Sequence, residues 1–487
     1  MTNLLKSRSW LLILITLIAA SACDTPTESA VAPPAASPAA PDAVSTEPPE
    51  ATSQPISATP TRQPELTTAI RDVTYNGPFE LTSVETSGGR CEQLSPLQLP
   101  HEGLLPVSYI PTRLCFNGEI GLMEIEDRLY VVLSSGVAGA FTITDVTDPT
   151  APEVVGAWGW RPRTYTADVK PFRQGDRWYL VLSMEKNEST RVPCGIAIVE
   201  VSDPQTPQLV GLYNGNVVAS DAPWCDVHTT QVDVDENGDG NFIMVTSDDT
   251  TDLRVLDIRD LDNIHEVNAY PHPVPSFYAP DFPSTFVHDS TIVGDRVYIS
   301  YWDGGVMIVD KHKLEAGAPP EEVVLNPANS IDPAGFEVHH SYPTLDGNFL
   351  FIEDEVNFDP PFSQLRLFDI RDLSQPDELL RITIDDPLSS PHNLLIEDDL
   401  LFVGWYKNGI RIYRFDLSDP ADPIVEPVAF QAVRDEEPDT GTFNFRDIFD
   451  GIYGVRVHEC EIEGRTTTCV YASDLTLGLI ILELDLE

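Results

Sequence analysis

The chain has 487 residues, with 78 acidic against 29 basic side chains and a formal net charge of −49. Such a surplus repels a phosphate backbone, so nucleic acid is excluded as a partner, and it equally argues against attachment through anionic lipid head groups. It suits solubility, cation binding or a saline habitat.

The chain opens on "MTNLLKSRSW", which carries Lys6 and Arg8, and continues with the apolar run "LLILITLIAA" and the small residues "ASAC". A basic start, a short apolar core and small residues form a secretory leader, residues 1–22, too short for a confident membrane span. Ala20-Ser21-Ala22-Cys23 resembles the bacterial lipobox, with Ala20 where leucine is usual. The resemblance implies that Cys23 is lipidated and becomes the mature N-terminus. The next segment, 23–70, is rich in Pro, Ala, Ser and Thr. It has too few large apolar residues to offset the entropy of ordering, and its prolines keep it extended. A leader, an anchor and a tether place the protein in the cell envelope, lipid-anchored and facing the periplasm or the extracellular side. The membrane is then a partner through the lipid alone.

Without Cys23, six cysteines remain: Cys91, Cys115, Cys194, Cys225, Cys460 and Cys469. An even number in an exported chain suggests disulfides. Pairing along the chain is simplest, giving 91–115, 194–225 and 460–469. "CEIEGRTTTC" reads as two strand ends around a Gly-Arg turn, which makes the last pair the best supported.

Residues 71–487 repeat. An apolar strand ends in an acid, a Ser/Asp/Pro turn follows, and a short strand comes next: "GAFTITDVTDPTAPEVVGAW", "GIAIVEVSDPQTPQLVGLY", "LRLFDIRDLSQPDELLRI". The acids are Asp145, Glu200, Asp257, Asp310, Asp369 and Asp416, with a terminal copy near Asp485. The period is about that of a propeller blade, roughly 40–50 residues. Two further strand-like runs split by Gly/Asp/Asn turns precede each copy, so each unit is four antiparallel strands. The predicted fold is all-β, a seven-bladed β-propeller, with blades near 116–160, 162–215, 225–272, 285–327, 336–386, 389–432 and 450–487. The chain stops before the last blade's outer strand, and Phe79–Thr86 is the expected supplier. The recurring "hxhxDhSDPxxP" phrase resembles the LVIVD repeat family of bacterial extracytoplasmic propellers, over about Phe116 to Glu487. That resemblance implies the fold and leaves the function open.

Aligned on the first hairpin turn of each unit, histidines recur. His288 lies seven residues before Asp295, His392 seven before Asp399, and His340 seven before Gly347. His228 and His458 take the same place in the third and seventh units. The first strand of a propeller blade lines the channel, so five imidazoles would converge at one mouth. Imidazole ligates Zn, Cu, Fe and Ni, with carboxylates behind it to orient the rings. Asp289, Glu353, Glu355 and Glu459 are near in sequence. A repeated histidine can equally satisfy backbone groups within its own blade, and the sequence leaves both readings open. A second constellation, Asp233, Asp235, Asn237, Asp239 and Asn241 around Gly238, alternates like the start of a calcium loop, although Met244 stands where the final glutamate would be. The expected function is a binding protein with a transition-metal site and a calcium loop, and an unidentified ligand or protein partner. The alternatives are a metal-dependent oxidase or hydrolase using the same histidines, and an interaction scaffold using outer loops such as Tyr270 to Ser284.

Overall fold

The computed structural model describes residues 74–78, 96–111, 116–136, 139–161, 164–185, 194–273, 286–327, 330–332, 337–355, 364–384, 390–434 and 449–486. The leader, the lipidation cysteine Cys23, the tether, Cys91, Cys115, Phe79–Thr86 and most of the 270–284 loop lie outside the described residues.

Seven antiparallel sheets succeed one another along the chain, each a meander in sequence order. Their first strands are Asn117–Ile125, Val169–Gln174, Thr230–Val234, Asp289–Val293, Val338–Pro343, His392–Glu397 and Ile452–Ile462. Each of these packs against the first strands of the blades on either side, and the seventh packs against the first. The seven therefore close a ring around the axis, as a seven-bladed propeller requires.

The core lies between blades rather than within one. Seven apolar clusters fill the seven interfaces, from Val132, Phe141 and Leu180 between blades one and two to Ile481, Tyr471 and Ile120 between blades seven and one. Second and third strands thus bury both faces, which is why "LYVVLS" and "GIAIVE" are continuous apolar runs rather than alternating ones. In four blades the acid that ends the third strand caps the turn after it. Asp145, Asp257, Asp369 and Asp416 each accept the backbone N–H two residues on. The following aspartates, Asp148, Asp203, Asp260, Asp372 and Asp419, do the same one turn later. The repeated Asp…Ser-Asp-Pro phrase is therefore turn chemistry.

Two blades depart from the plan. In the fourth, the helices Lys311–Glu315 and Pro320–Val323 replace the outer strand. In the seventh, the outer strand comes from the N-terminal side, but it is Leu104–Pro111, not the expected Phe79–Thr86. Leu104–Pro111 pairs with Gly478–Leu484 and lies shortly before the first blade in the chain. Two further strands lie on outer edges, Thr74–Pro78 on blade one and His101–Glu102 on blade six. Two disulfides follow the expected pairing, Cys194–Cys225 and Cys460–Cys469. No helix among the described residues is long and apolar enough to cross a membrane.

Candidate metal centre

The first strands of blades three to six begin at one end of the channel, and a histidine stands within two residues of each beginning. His228, His288, His339 and His392 form a continuous arc, with ring centroids 4.6, 4.1 and 4.2 Å apart in that order. The ring of Tyr453 in blade seven continues it, 4.0 Å from His392. Among the described residues, His288, His339 and Glu355 form a group whose ligand atoms all lie within 4.8 Å of one another. All three are buried, so this group could hold a metal ion. For scale, two imidazoles bound through nitrogen at about 2.1 Å and about a right angle apart would have centroids roughly 4.5 Å apart.

The other nitrogen of most of these rings is already fixed. His228 Nδ1 is 2.5 Å from Glu185 Oε1. His339 Nδ1 is hydrogen-bonded to Glu353, which faces it across the hairpin. His392 Nδ1–H donates to the Tyr453 carbonyl at 2.7 Å. Each arrangement leaves Nε2 for another partner, which is how carboxylates and carbonyls orient metal-binding histidines. His288 differs, because its Nδ1 is buried without a hydrogen-bond partner. Its peptide is nonetheless held at both ends: the N–H donates to Ser300 O, and the C=O accepts from Thr229 Oγ1 at 2.8 Å.

Glu355 sits between the ring of histidines and an aromatic wall. Its Oε2 is 3.8 Å from His339 Nε2, and its Oε1 accepts a hydrogen bond from Tyr406 at 2.7 Å. Tyr406 and Trp302 each follow the second strand of their blade with positive φ, 29° and 31°. For a bulky residue that is an uncommon and strained conformation. It lets each form a backbone bridge to the next blade's inner strand, Tyr406 to Ile452 and Trp302 to Val338. Their rings then lie 4.9 Å from His392 and from His288 respectively.

Burial governs the charges here. It holds the His288 and His339 imidazoles far below their usual range, reinforced by the neighbouring imidazoles, and pulls His392 down to about 3. These rings are neutral and carry lone pairs. Burial also opposes a charge on His228, but the Glu185 carboxylate outweighs it and lifts His228 to about 9. Burial pushes Glu355 up to about 7 and Glu353 well above the ordinary carboxyl value. Carboxyls so raised mark a place that would gain from a positive ion.

Two of the five expected histidines do not take part. His340 uses both nitrogens elsewhere: Leu394 N–H donates to Nδ1 at 3.0 Å, and Nε2–H donates to Thr291 Oγ1 at 2.9 Å. It ties blade five to blades four and six, and its neighbour His339 faces the site. The cause is one extra pair of loop residues. Blades four and six turn on two residues, Gly294-Asp295 and Asp398-Asp399, between directly paired strand ends. Blade five closes its hairpin at Thr344 and Phe349 around four residues, so Gly347 is the third loop residue and not the second. Counting back from it lands one position off, and a slip of one turns a side chain to the other face. His458 fails for a different reason. The seventh hairpin is longer than the others, 11 residues in its first strand, and His458 sits halfway along, paired with Cys469 and donating to its neighbour's carbonyl, Glu459 O, at 2.6 Å. Tyr453 stands at the position near the axis. Of the expected supporting acids, Glu353 and Glu355 are in place, Glu459 is exposed, and Asp289 faces inward below the histidines. Glu185 was not foreseen, because its blade carries no histidine at this position.

The acidic loop at 233–241 joins three blades. Asp233 pairs with Lys311 of blade four at 2.6 Å, and Asp239 Oδ1 accepts from Gly175 N–H and lies 3.7 Å from Arg173 of blade two. Asp235 accepts the backbone N–H groups of Asn237 and Asp239, with its other oxygen on the Asn237 amide, and the Asn241 amide reaches Asp233 at 3.4 Å. The three aspartates do not meet within 4.8 Å as a group.

No protein-family model matches the chain, and no curated protein does. Solved structures match at low identity. A functionally unknown protein from Desulfotomaculum acetoxidans is 13% identical, with 65% of this chain and 86% of that one covered and a TM-score of 0.43. Raptor from Chaetomium thermophilum is 11% identical, with 80% of this chain and 29% of that one covered and a TM-score of 0.47. The Cps50 (Swd1) beta-propeller domain from Myceliophteria thermophila is 11% identical, with 79% and 99% covered and a TM-score of 0.47.

Proposed function

We propose that this protein is an envelope-anchored propeller of the LVIVD type that binds a divalent transition-metal ion on its axis. The observation that carries the reading is the buried group His288, His339 and Glu355, flanked by His228 and His392 with their rings already oriented. Two neutral imidazoles and a carboxylate suit Zn, Cu, Fe or Ni better than calcium or magnesium. The charge balance agrees: Glu185, Glu353 and Glu355 are buried around the site, and His228 is the only one of the four rings lifted towards its charged form. A bound metal would supply a Lewis-acid centre. The chain's residues fix the rings, and the aromatic wall of Trp302, Tyr406 and Tyr453 shields one side. Cys23 and the 23–70 tether would hold this mouth within reach of a membrane, while calcium at the 233–241 loop remains a separate proposal.

The test is a metal inventory of the chain from Asp24 onward, which contains the whole propeller, purified without chelator. One equivalent of a transition metal is expected. The double variant His288→Ala/His339→Ala should lose it and stay folded by circular dichroism. A folded wild-type protein that takes up no transition metal, or a double variant that retains it, overturns the reading.

A further inference from the structure

A covalent link joins blade two to the approach of blade three beside the histidine arc. Met184, the last residue of the strand Arg177–Met184, pairs with Gly195, the first of Gly195–Glu200. Glu185 follows the one and Cys194 precedes the other. Glu185 meets His228 Nδ1, and Cys194 is bonded to Cys225, three residues before His228. The disulfide thus bridges the same two chain segments as the Glu185–His228 contact. Between Cys225 and His228, the Val227 N–H donates to Met184 O at a long 3.4 Å. Beyond His228, Asp168 of blade two holds the Thr230 N–H at 2.7 Å and hydroxyl at 2.8 Å. His228 therefore hangs between two anchors, Thr230 on one side and the disulfide on the other. Asp249 also holds the Cys225 and Asp226 N–H groups, but it belongs to blade three itself.

The placement of His228 matters to the metal group through His288. The His288 Nδ1 is buried without a hydrogen-bond partner, so packing sets its ring. His228 and His339 pack on it with centroids 4.6 and 4.1 Å away. The two described disulfides also differ in exposure. Cys469 is fully buried and Cys460 is 9% exposed, whereas Cys194 and Cys225 are both partly exposed. The accessible disulfide is the one a thiolate attacks. Resting on the metal reading above, we propose that Cys194–Cys225 is a redox-sensitive clasp on the metal centre. A dithiol reductant gives up two electrons and two protons, the S–S bond becomes two thiols, and the reductant becomes a disulfide. The Cys225 end of the segment is then released, His228 leaves Glu185, and the His288 ring loses one of the neighbours that orient it. Metal affinity falls, and reoxidation restores it.

In the experiment, the chain from Asp24 onward is treated with dithiothreitol without denaturant, free thiols are capped with iodoacetamide, and the reagents are removed. Peptide masses should show caps on Cys194 and Cys225 before Cys460 and Cys469. Cys194→Ser/Cys225→Ser gives the same open state without caps. In both open forms zinc affinity, read by competition with a chromophoric chelator, should fall by about 10–100-fold while far-UV circular dichroism is unchanged. Cys460→Ser/Cys469→Ser should keep the wild-type affinity. Adding Glu185→Gln to the open variant should cost little more, because both changes act through His228. In metal-free protein, amide exchange at 225–229 should quicken on opening while that at 452–457 does not. Caps that reach Cys460 and Cys469 first, unchanged exchange, unchanged affinity, a fully additive loss with Glu185→Gln, an equal fall in Cys460→Ser/Cys469→Ser, or loss of the fold on opening overturns the proposal. A closed protein that takes up no metal overturns the metal reading instead, and the exchange comparison then decides the clasp.

Discussion

His339 Nδ1 is hydrogen-bonded to Glu353 across the first hairpin of blade five, and both side chains are almost wholly buried. The pair forms because the strand bulges at His339, between the paired residues Val338 and His340. The bulge re-aims one side chain towards the axis while the ladder continues. Glu353 then fixes the ring and leaves Nε2 free. Glu353→Gln keeps the shape and removes the carboxylate, so metal affinity should fall by about 10–100-fold while the fold persists. Competition with a chromophoric chelator measures this. An unchanged affinity would mean that Glu353 does not position the ring.

The two discounted histidines separate stability from binding. His340 joins three blades through two hydrogen bonds, so His340→Ala should cost about 1–3 kcal/mol and leave the metal stoichiometry unchanged. His458→Ala should alter neither, because the ring is partly exposed and bonded to its neighbour's carbonyl. Denaturant titration and metal analysis on the same preparations check both. Loss of metal in His458→Ala would contradict the placement of that residue.

A pH dependence is expected in the helical insert of blade four. Glu315 packs against Asp233 of blade three and against Lys311 and His312 of its own helix. Burial first, and then Asp233, raises its carboxyl to about 7 from an ordinary 4.5, against the pull of Lys311 and His312. For an acid with a raised folded value, folding takes up a proton. Stability is therefore full below about 4.5, declines as pH rises towards 7, and stays reduced above it. Amide exchange across Lys311–Val323, corrected for intrinsic rate, should be faster at pH 8 than at pH 5. In Glu315→Gln that difference should shrink; an equal difference in both proteins would sink the assignment.

The disulfides act by restricting the unfolded chain. Cys460–Cys469 closes a short loop, and paired serine substitutions there should cost about 2–3 kcal/mol. Cys194–Cys225 spans 31 residues and should cost more, about 3–4 kcal/mol. Unfolding curves of the two double variants, with and without reductant, test the order. Reductant should shift each variant less than the wild type.

Much of the ring was legible because its signals are local. Asp145 and Asp369 cap turns that involve neighbouring residues only, so their repetition marks the same corner in each blade. Continuous runs such as "LYVVLS" declare strands buried on both sides. The Cys460–Cys469 pairing was readable because one hairpin sets the two residues opposite each other. The number of blades and the order of strands follow from such features.

The site was legible in outline and wrong in detail, for a physical reason. His228, His288 and His392 could be found by counting from a turn. His339 could not, because the count depends on whether a loop has two residues or four, and hydrogen-bond closure at Thr344 and Phe349 decides that. Glu185 and Tyr453 reach the same axis from blades with no histidine at that place, so no repeat pointed to them. Leu104–Pro111 became the clasp through pairing with the far end of the chain, at a sequence separation that no local pattern encodes. The sequence by itself determined the repeating unit, since turns and strands are built by near neighbours. Only the closed ring decided which side chains meet on the axis, because that meeting depends on register, bulges and packing among seven separate segments.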